Sequence, residues 1–538
     1  MLSILTLLLL IPAPVLSDNP VLTYSCHTEK KQKCLKRPFV PGHTLLGEGV
    51  NIVTMKKTGA NVIDMQLFLS QRNTCTVCKN PYKNMAVQKL PLAMADWKPY
   101  SSCSRKVSSE VSRSAVSLAE EMGSEVQNNW EAGLELQHPS GNAKVVLAGS
   151  HSEINKFTEE KSNSDRYSFV KQQVSCVYYR FNLKQNPSLS QNFKESVKSL
   201  PESYSVKTKY EYLQFIRRYG THYISQADVG GEVVEVTAIK TCQVALQGAS
   251  VEELKDCLNI ETNVAVTGKV EANAKASACR ELSQKMTRQN NFHQTFNERT
   301  WQVRGGSIKF DLLSINNKDN NAAQFETWME SLKKDPDIVT YSLEPVHDLL
   351  KSELKENLQK AVSEYIMEKA LWKNCSCTGN SQPSEGAKCT CFCPRSEFLT
   401  PSCCPAKKGL AKVVVTIQSG SGLWGDYISK TDSYVKVNSG TKTYKTGTIW
   451  NNDNPVWNTS FDINPADLEL ITSIDIEVWD VDNGYDDDRL GSCKKTLTSG
   501  DKSDVCHLDH GTLNYKVRVE CMQHLVGEHC QEYAPSNP

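Results

Sequence analysis

Apolar residues recur along the chain at two spacings, and each spacing predicts its own elements. Val107, Val111, Ala115, Leu118, Met122 and Val126 fall every three or four residues and predict an amphipathic helix. Leu350, Leu354, Leu358, Val362 and Ile366 predict a second helix within 347–372, with Pro345 near its start. Tyr212, Phe215, Ile216 and Tyr219 share one helical face, and Gly220 predicts the end of that helix. Strands are predicted at Asn61–Leu69 and at the valine-rich run Val229–Ile239. Ala411–Ile417, Ser433–Val437 and Ser473–Trp479 alternate with polar, turn-rich loops and predict an antiparallel sandwich.

Two stretches alternate well. Val264, Val266, Gly268, Val270, Ala272, Ala274 and Ala276 make one face, against Thr267, Lys269, Glu271, Asn273 and Lys275 on the other. The same residues are good helix formers. Trp130, Ala132, Leu134 and Leu136 alternate with Glu131, Gly133, Glu135 and Gln137. A turn at 138–142 and the run 144–149 follow, which reads as a hairpin with one apolar face. A membrane-crossing barrel strand needs such faces over about 9–11 residues. An ordinary half-buried strand shows the same alternation, so the pattern alone leaves both readings open.

The length, 538 residues, calls for several domains. Lys+Arg and Asp+Glu both number 61, a balance that argues against a nucleic-acid binder. Residues 1–17 form an apolar run broken by Pro12 and Pro14, and Val15 and Ser17 suit cleavage of a signal peptide. No later run reaches the ~18–20 apolar residues of a spanning helix. Twenty cysteines on a secretory route predict disulfides. Zinc is the competing reading for the cluster from Cys375 to Cys404, and its C-x-C spacing fits zinc poorly. Asn374 and Asn458 head glycosylation sequons. The chain has neither a G-x-S-x-G nor an H-E-x-x-H motif, so no enzyme and no small-molecule substrate is expected.

The strongest chemical signal lies in the predicted sandwich. Asp426 and Asp432 stand in one loop; Asp480, Asp482 and Asp488 stand in another, with Asp486 and Asp487 alongside. Carboxylates from neighbouring loops repel unless a cation joins them. Calcium, which takes six to eight oxygens in a flexible cage, fits better than magnesium. Asn451 and the backbone near Gly425 could add oxygens. Asp486–Asp488 alone would read as a solvated acidic loop. Trp424, Tyr427 and Tyr485 sit in the same loops, where exposed aromatic rings suit a membrane interface. Packing on the sandwich edge is the alternative for each. Crowded carboxylates also predict that mild acid weakens calcium binding.

Tyr219-Gly220-Thr221-His222-Tyr223, followed by Gly230-Gly231, resembles the signature of the membrane-attack-complex/perforin (MACPF) family. His222 could be a base or a metal ligand, but no catalytic partner accompanies it, so a structural role is expected. The glycines suit a bend or bulge in a strand. The aspartate loops resemble those of C2 domains, and the cysteine-rich stretch resembles an epidermal-growth-factor-like module. The resemblance implies a signal peptide at 1–17, an α+β MACPF domain at 18–373 with a bent antiparallel sheet between helical clusters, the small module at 374–408, an all-β C2 sandwich at 409–520 and a tail at 521–538. It also implies secretion through a granule, calcium-dependent docking on phospholipid, a homo-oligomeric ring, and refolding of the helical clusters into membrane-crossing hairpins. A single hairpin leaves its edges unpaired in lipid, so insertion requires a ring. The cysteine order then suggests Cys103–Cys176, Cys242–Cys404, Cys493–Cys506 and Cys521–Cys530, although order does not fix connectivity.

Overall fold

The computed structural model describes residues 24–103, 107–136, 145–146, 153–269, 274–287, 298–307, 321–372, 382–383, 391–394, 396–425, 427–482 and 487–535. An antiparallel sheet of eight strands organises the N-terminal two thirds. Its main strands are β1 (Met94–Cys103), β2 (Ser108–Ser112), β3 (Tyr167–Leu183), β4 (His222–Lys240), β5 (Arg299–Arg304) and β6 (Asp337–Pro345). β3 and β4 pair along nearly their whole length. β1 and then β2 line the outer side of β3. β6 and then β5 line the outer side of β4.

Helices cover the sheet. They include α1 (Ala115–Met122), α2 (Glu153–Ser164), α3 (Lys209–Tyr219), α4 (Val251–Thr267), α5 (Ala274–Thr287), α6 (Asn321–Leu332) and α7 (Ser352–Lys369). The main core gathers large side chains such as Trp97, Tyr179, Phe181, Phe193, Tyr219 and Trp328. Two smaller patches lie at the far end of β3 and β4. Leu118 of α1 and Ile154 of α2 pack on Phe169, Val234, Val236 and Ala238. Val251 and Leu254 of α4 pack with Val170 and Ile239. Side chains alternate across a strand, so these two patches occupy opposite faces of the sheet.

Three sequence expectations are corrected. Asn61–Leu69 is not a strand. The strand Lys56–Asn61 stops there, and the Asp64 carboxylate accepts the amides of Gln66 and Leu67, turning the chain. The helix expected across Val107–Val126 is confined to α1. Ser114 caps it through a reciprocal bond pattern with Ser117, and the residues before it pair with β3 as β2. Trp130–Leu136 is turn and irregular chain rather than the first arm of a hairpin: Ala132 and Leu134 donate to the Asn129 and Glu131 carbonyls, and Gly133 has φ +77°. Gln137, the turn at 138–142 and all of the second run 144–149 except Val145 and Val146 lie outside the described residues. Val145–Val146 pairs with Leu371–Trp372.

The C-terminal third is a sandwich of two four-stranded antiparallel sheets. Its strands are β7 (Leu410–Ser421), β8 (Ser433–Ser439), β9 (Lys442–Lys445), β10 (Val456–Asp467), β11 (Ser473–Asp480), β12 (Asp488–Thr496), β13 (Gly500–His507) and β14 (Thr512–Cys521). Inward residues Val413, Val415 and Ile417 meet Val435, Val437, Ile476 and Val478. The four disulfides expected from cysteine order all form, and Cys26–Cys78, Cys34–Cys75, Cys257–Cys279 and Cys393–Cys403 join them.

Candidate functional site

The signature motif is a structural joint. α3 ends at Gly220, which has φ +78° and whose amide donates to the Ile216 carbonyl at 2.7 Å. A side chain there would overlap the Val50 backbone. Tyr219 donates to the Asn192 carbonyl at 2.9 Å. Thr221 accepts the Ile52 amide at 3.0 Å. His222 is buried; its Nε2 lies 2.9 Å from the Trp130 carbonyl oxygen and its Nδ1 2.9 Å from the Thr221 hydroxyl. A carbonyl only accepts, so Nε2 carries the proton. Burial pushes the His222 pKa down to about 4, so the ring is neutral at physiological pH. Tyr223 is buried beside it. The motif therefore fastens the chain at Trp130, where one alternating segment starts, to the first residue of β4.

Gly230 and Gly231 lie where β4 changes register against both neighbours. The pairing slips between Val229 and Gly230 toward β3, and between Asp228 and Val229 toward β6. Such bulges bend a strand and increase its twist. A Cβ on Gly230 would overlap the Cys176 carbonyl oxygen, and one on Gly231 would overlap Leu332 and crowd Trp328. Close packing on the β3 backbone and on α6 is what excludes side chains here.

Beyond this bend, much of what holds the helices to the sheet is polar. Glu232 and Glu235 of β4 are buried, and Arg304 of β5 bridges Glu232 to Glu125, just past α1. Burial holds the Glu232 carboxyl above the usual range, against the pull of Arg304. Lys171 of β3 pairs with Glu121 of α1 at 3.1 Å, and Gln172 of β3 donates to Thr262 of α4 at 2.7 Å. These polar residues were not anticipated. Their signal in the sequence is the pair of glutamates inside the valine-rich run Gly231–Val236. Val264–Thr267 closes α4 and Ala274–Ala276 opens α5, so helix propensity governs both ends of that alternating segment; residues 270–273 lie outside the described residues. Among the described residues, no helix is long and apolar enough to cross a membrane.

Of the candidate aspartates, Asp432, Asp480, Asp482, Asp487 and Asp488 are among the described residues, at one end of the sandwich. Asp480 and Asp488 are directly opposed on β11 and β12. Asp432 precedes β8, and its amide donates to the Asp480 carboxylate at 2.6 Å. The Asn451 amide donates to the Asp432 carboxylate at 2.5 Å, so the backbone of Asn451 positions that aspartate. Gly425 packs so tightly on the Asp480 carboxylate that no side chain fits. Asp487 turns away and accepts the Tyr434 hydroxyl at 2.6 Å. Asp482 follows β11 in the same loop. Asp426, Tyr485 and Asp486 lie outside the described residues, as does Asn374. Among the described residues, no three acidic, histidine or cysteine side chains are drawn together as a finished metal site.

Apolar side chains crown this end. Tyr427 is 91% exposed and Trp424 46%. Trp424 meets Tyr427 and His510 edge-on at 5.2 and 5.1 Å. Ile428, at 102%, and Trp450, at 59%, are exposed in the same way. Sequence reasoning passed over both, although they adjoin Tyr427 and Asn451. Asn458 is exposed on β10.

Two family models match the chain: the MAC/Perforin domain at residues 39–374 and the C2 domain at residues 411–510. Perforin-1 of Mus musculus is 38% identical, over 99% of this chain and 96% of its own length. Perforin-1 of Homo sapiens is 37% identical, over 95% of this chain and 93% of its own. The complement component C8 beta chain of Paralichthys olivaceus is 27% identical over 47% of this chain and 43% of its own. The chain belongs to the MAC/Perforin family. It is a pore-forming cytolytic protein rather than an enzyme, one that works as membrane-inserted oligomeric rings and carries a C2 domain as its phospholipid-binding part.

Proposed function

We propose that the chain is secreted through a granule, docks on phospholipid in a calcium-dependent step, and inserts two hairpins drawn from the helices flanking β3 and β4. The carrying observation is the architecture around the bend. Two long paired strands continue past Gly230-Gly231, with helices on opposite faces held by small apolar patches and buried polar contacts. Stripping a polar contact exposes groups that water can satisfy, so such helices separate from a sheet more readily than a dry core would.

The donor set at the sandwich tip fits a hard cation. Asp480 and Asp488 stand opposite each other there, the Asp432 amide holds the Asp480 carboxylate, Asp480 is almost fully buried, and Gly425 leaves room for nothing but backbone against it. Asp426, Asp482 and Asp486 complete the proposed ligand set, with Asn451 placing Asp432. A bound calcium ion would neutralise these carboxylates and offer a coordination position to a lipid phosphate. The chain's own part is to hold Trp424, Tyr427, Ile428 and Trp450 at the rim, where their side chains enter the interface once the charge is cancelled. Tyr485 belongs to the same rim by sequence. The disulfides, and the sequons at Asn374 and exposed Asn458, support an oxidising secretory route.

Locking α4 to the sheet tests the reading. In a Gln172→Cys/Thr262→Cys variant bridged by a short bifunctional thiol reagent, the link replaces a contact that runs through the long Gln172 side chain. Vesicle binding is expected to persist while lysis is lost. Full lysis by the bridged protein would overturn the insertion reading.

A further inference from the structure

The Cys257–Cys279 disulfide joins α4 to α5, with 5.4 Å between Cα atoms. The register of the sheet singles out the same pair. In every pair along β4 and β5, from Glu232↔Arg304 to Thr237↔Arg299, the two residue numbers add to 536. The numbers of Cys257 and Cys279 also add to 536. If the chain between β4 and β5 straightened into two strands without slipping, the cysteines would face each other directly.

The side-chain pattern follows the same register. Every even-numbered residue from Leu258 to Ala278 is apolar or glycine, except Thr262. Every odd-numbered residue from Asn259 to Ser277 is polar, except Ala265. Because 536 is even, even residues oppose even residues, and both arms present their apolar sets to one face. A slip of one residue would turn one arm over. The midpoint of the register is Gly268, which already has φ +67° and ends α4. Residues 258–267 and 269–278 form arms of ten each. That length matches the ~9–11 residues of a tilted membrane-crossing strand.

The bond itself is compatible with both states. Directly opposed residues of antiparallel strands lie ~4.5–5.5 Å apart at Cα, close to the 5.4 Å seen between the helices. Among the described residues, directly opposed residues are already bridged at Cys26↔Cys78, at 4.0 Å, and at Cys103↔Cys176, at 4.1 Å. β2 and β3 provide a parallel case for reading register forward. Their paired numbers add to 281, which places a turn at Ser140-Gly141, within the turn expected from the sequence.

We infer that the Cys257–Cys279 bridge survives insertion and fixes the register of the second hairpin, with its turn at Gly268, its even-numbered residues toward lipid and the bridge on the aqueous face. The inference rests on the insertion reading above. Closing the loop in advance removes slipped pairings from those the refolding segment can reach. It also keeps the two apolar faces together from the outset.

The test uses the full chain assembled into pores on phosphatidylcholine vesicles with calcium. Alkylation without reductant, then digestion and mass spectrometry, is expected to recover a Cys257–Cys279 linked peptide from the membrane fraction. Under oxidation, a Thr262→Cys/Ala274→Cys pair should cross-link in the pore and a Thr262→Cys/Ala276→Cys pair should not. With Cys257→Ser and Cys279→Ser added, both pairs should cross-link and lysis should fall several-fold. Free thiols at Cys257 and Cys279 in pores, or preferential linkage of 262 to 276, would overturn the inference. An environment-sensitive fluorescent residue at Val264 or Asn263 separates the two levels. Lipid at 264 with water at 263 upholds the hairpin even if the bridge proves dispensable. Water at both would remove the insertion reading, and this inference with it.

Discussion

Burial holds His222 at a pKa of about 4 because its charged form would lose water that the joint around Trp130 and Thr221 replaces only in part. The unfolded chain takes up a proton near 6.5, and the folded chain refuses it down to about 4. The histidine's contribution to stability is therefore intact above that window and is lost as pH falls through it, on the order of 3 kcal/mol. His222→Gln should flatten the dependence of melting temperature on pH between 4 and 7; an unchanged slope would remove this role. At the other end of the molecule, Asp480→Asn keeps the shape and removes a charge. It should weaken calcium-dependent vesicle binding by roughly ten-fold or more, which corresponds to about 1.4 kcal/mol, without changing binding in chelator. Equal binding by the two proteins in calcium would contradict the tip assignment. His222 could be read as structural from the sequence because no catalytic partner stands near it. Its bond to Trp130 could not, since 92 residues separate the partners.

Strands β3 and β4 carry the logic at the level of elements. The valine-rich run announced β4, and the glycine pair announced the bulge, because only backbone fits between the Cys176 carbonyl and α6. Gly230→Ala should lower stability by about 1–3 kcal/mol, read by thermal melting, since its methyl meets main chain that cannot rotate aside. A neutral result would mean that the bulge relaxes. Where local pattern misled, tertiary pairing or a side-chain turn decided the outcome. β2 leaves the helical period of 107–126 to pair with β3. Asp64 ends an apolar run whose Val62, Ile63 and Met65 are buried without belonging to a strand. The tip aspartates stood out in the sequence as carboxylates at two strand ends, and pairing of β11 with β12 sets Asp480 opposite Asp488. The buried Glu125–Arg304–Glu232 bridge was not, because its members come together only when β5 pairs with β4.

Across the whole molecule, the disulfides divide the chain into parts that stay and parts that can move. Cys103–Cys176 binds β1 to β3, and Cys242–Cys404 fastens the end of β4 to the stretch before the sandwich. The Tyr533 hydroxyl donates to Asp165 just before β3, docking the C-terminal residues on the pore-forming part. The Cys257–Cys279 bridge lies wholly within one proposed insertion segment and ties it only to itself. Sandwich, joint and sheet are thus braced, while the helices over the far ends of β3 and β4 rest on smaller patches. The most direct measurement is dye release from loaded phosphatidylcholine vesicles, with calcium or chelator, for the native chain and for the Gln172→Cys/Thr262→Cys form. Release by the native chain is expected in calcium alone, and the bridged form is expected to bind in calcium without release. Release by the native chain in chelator, or release by the bridged form equal to native, would contradict it.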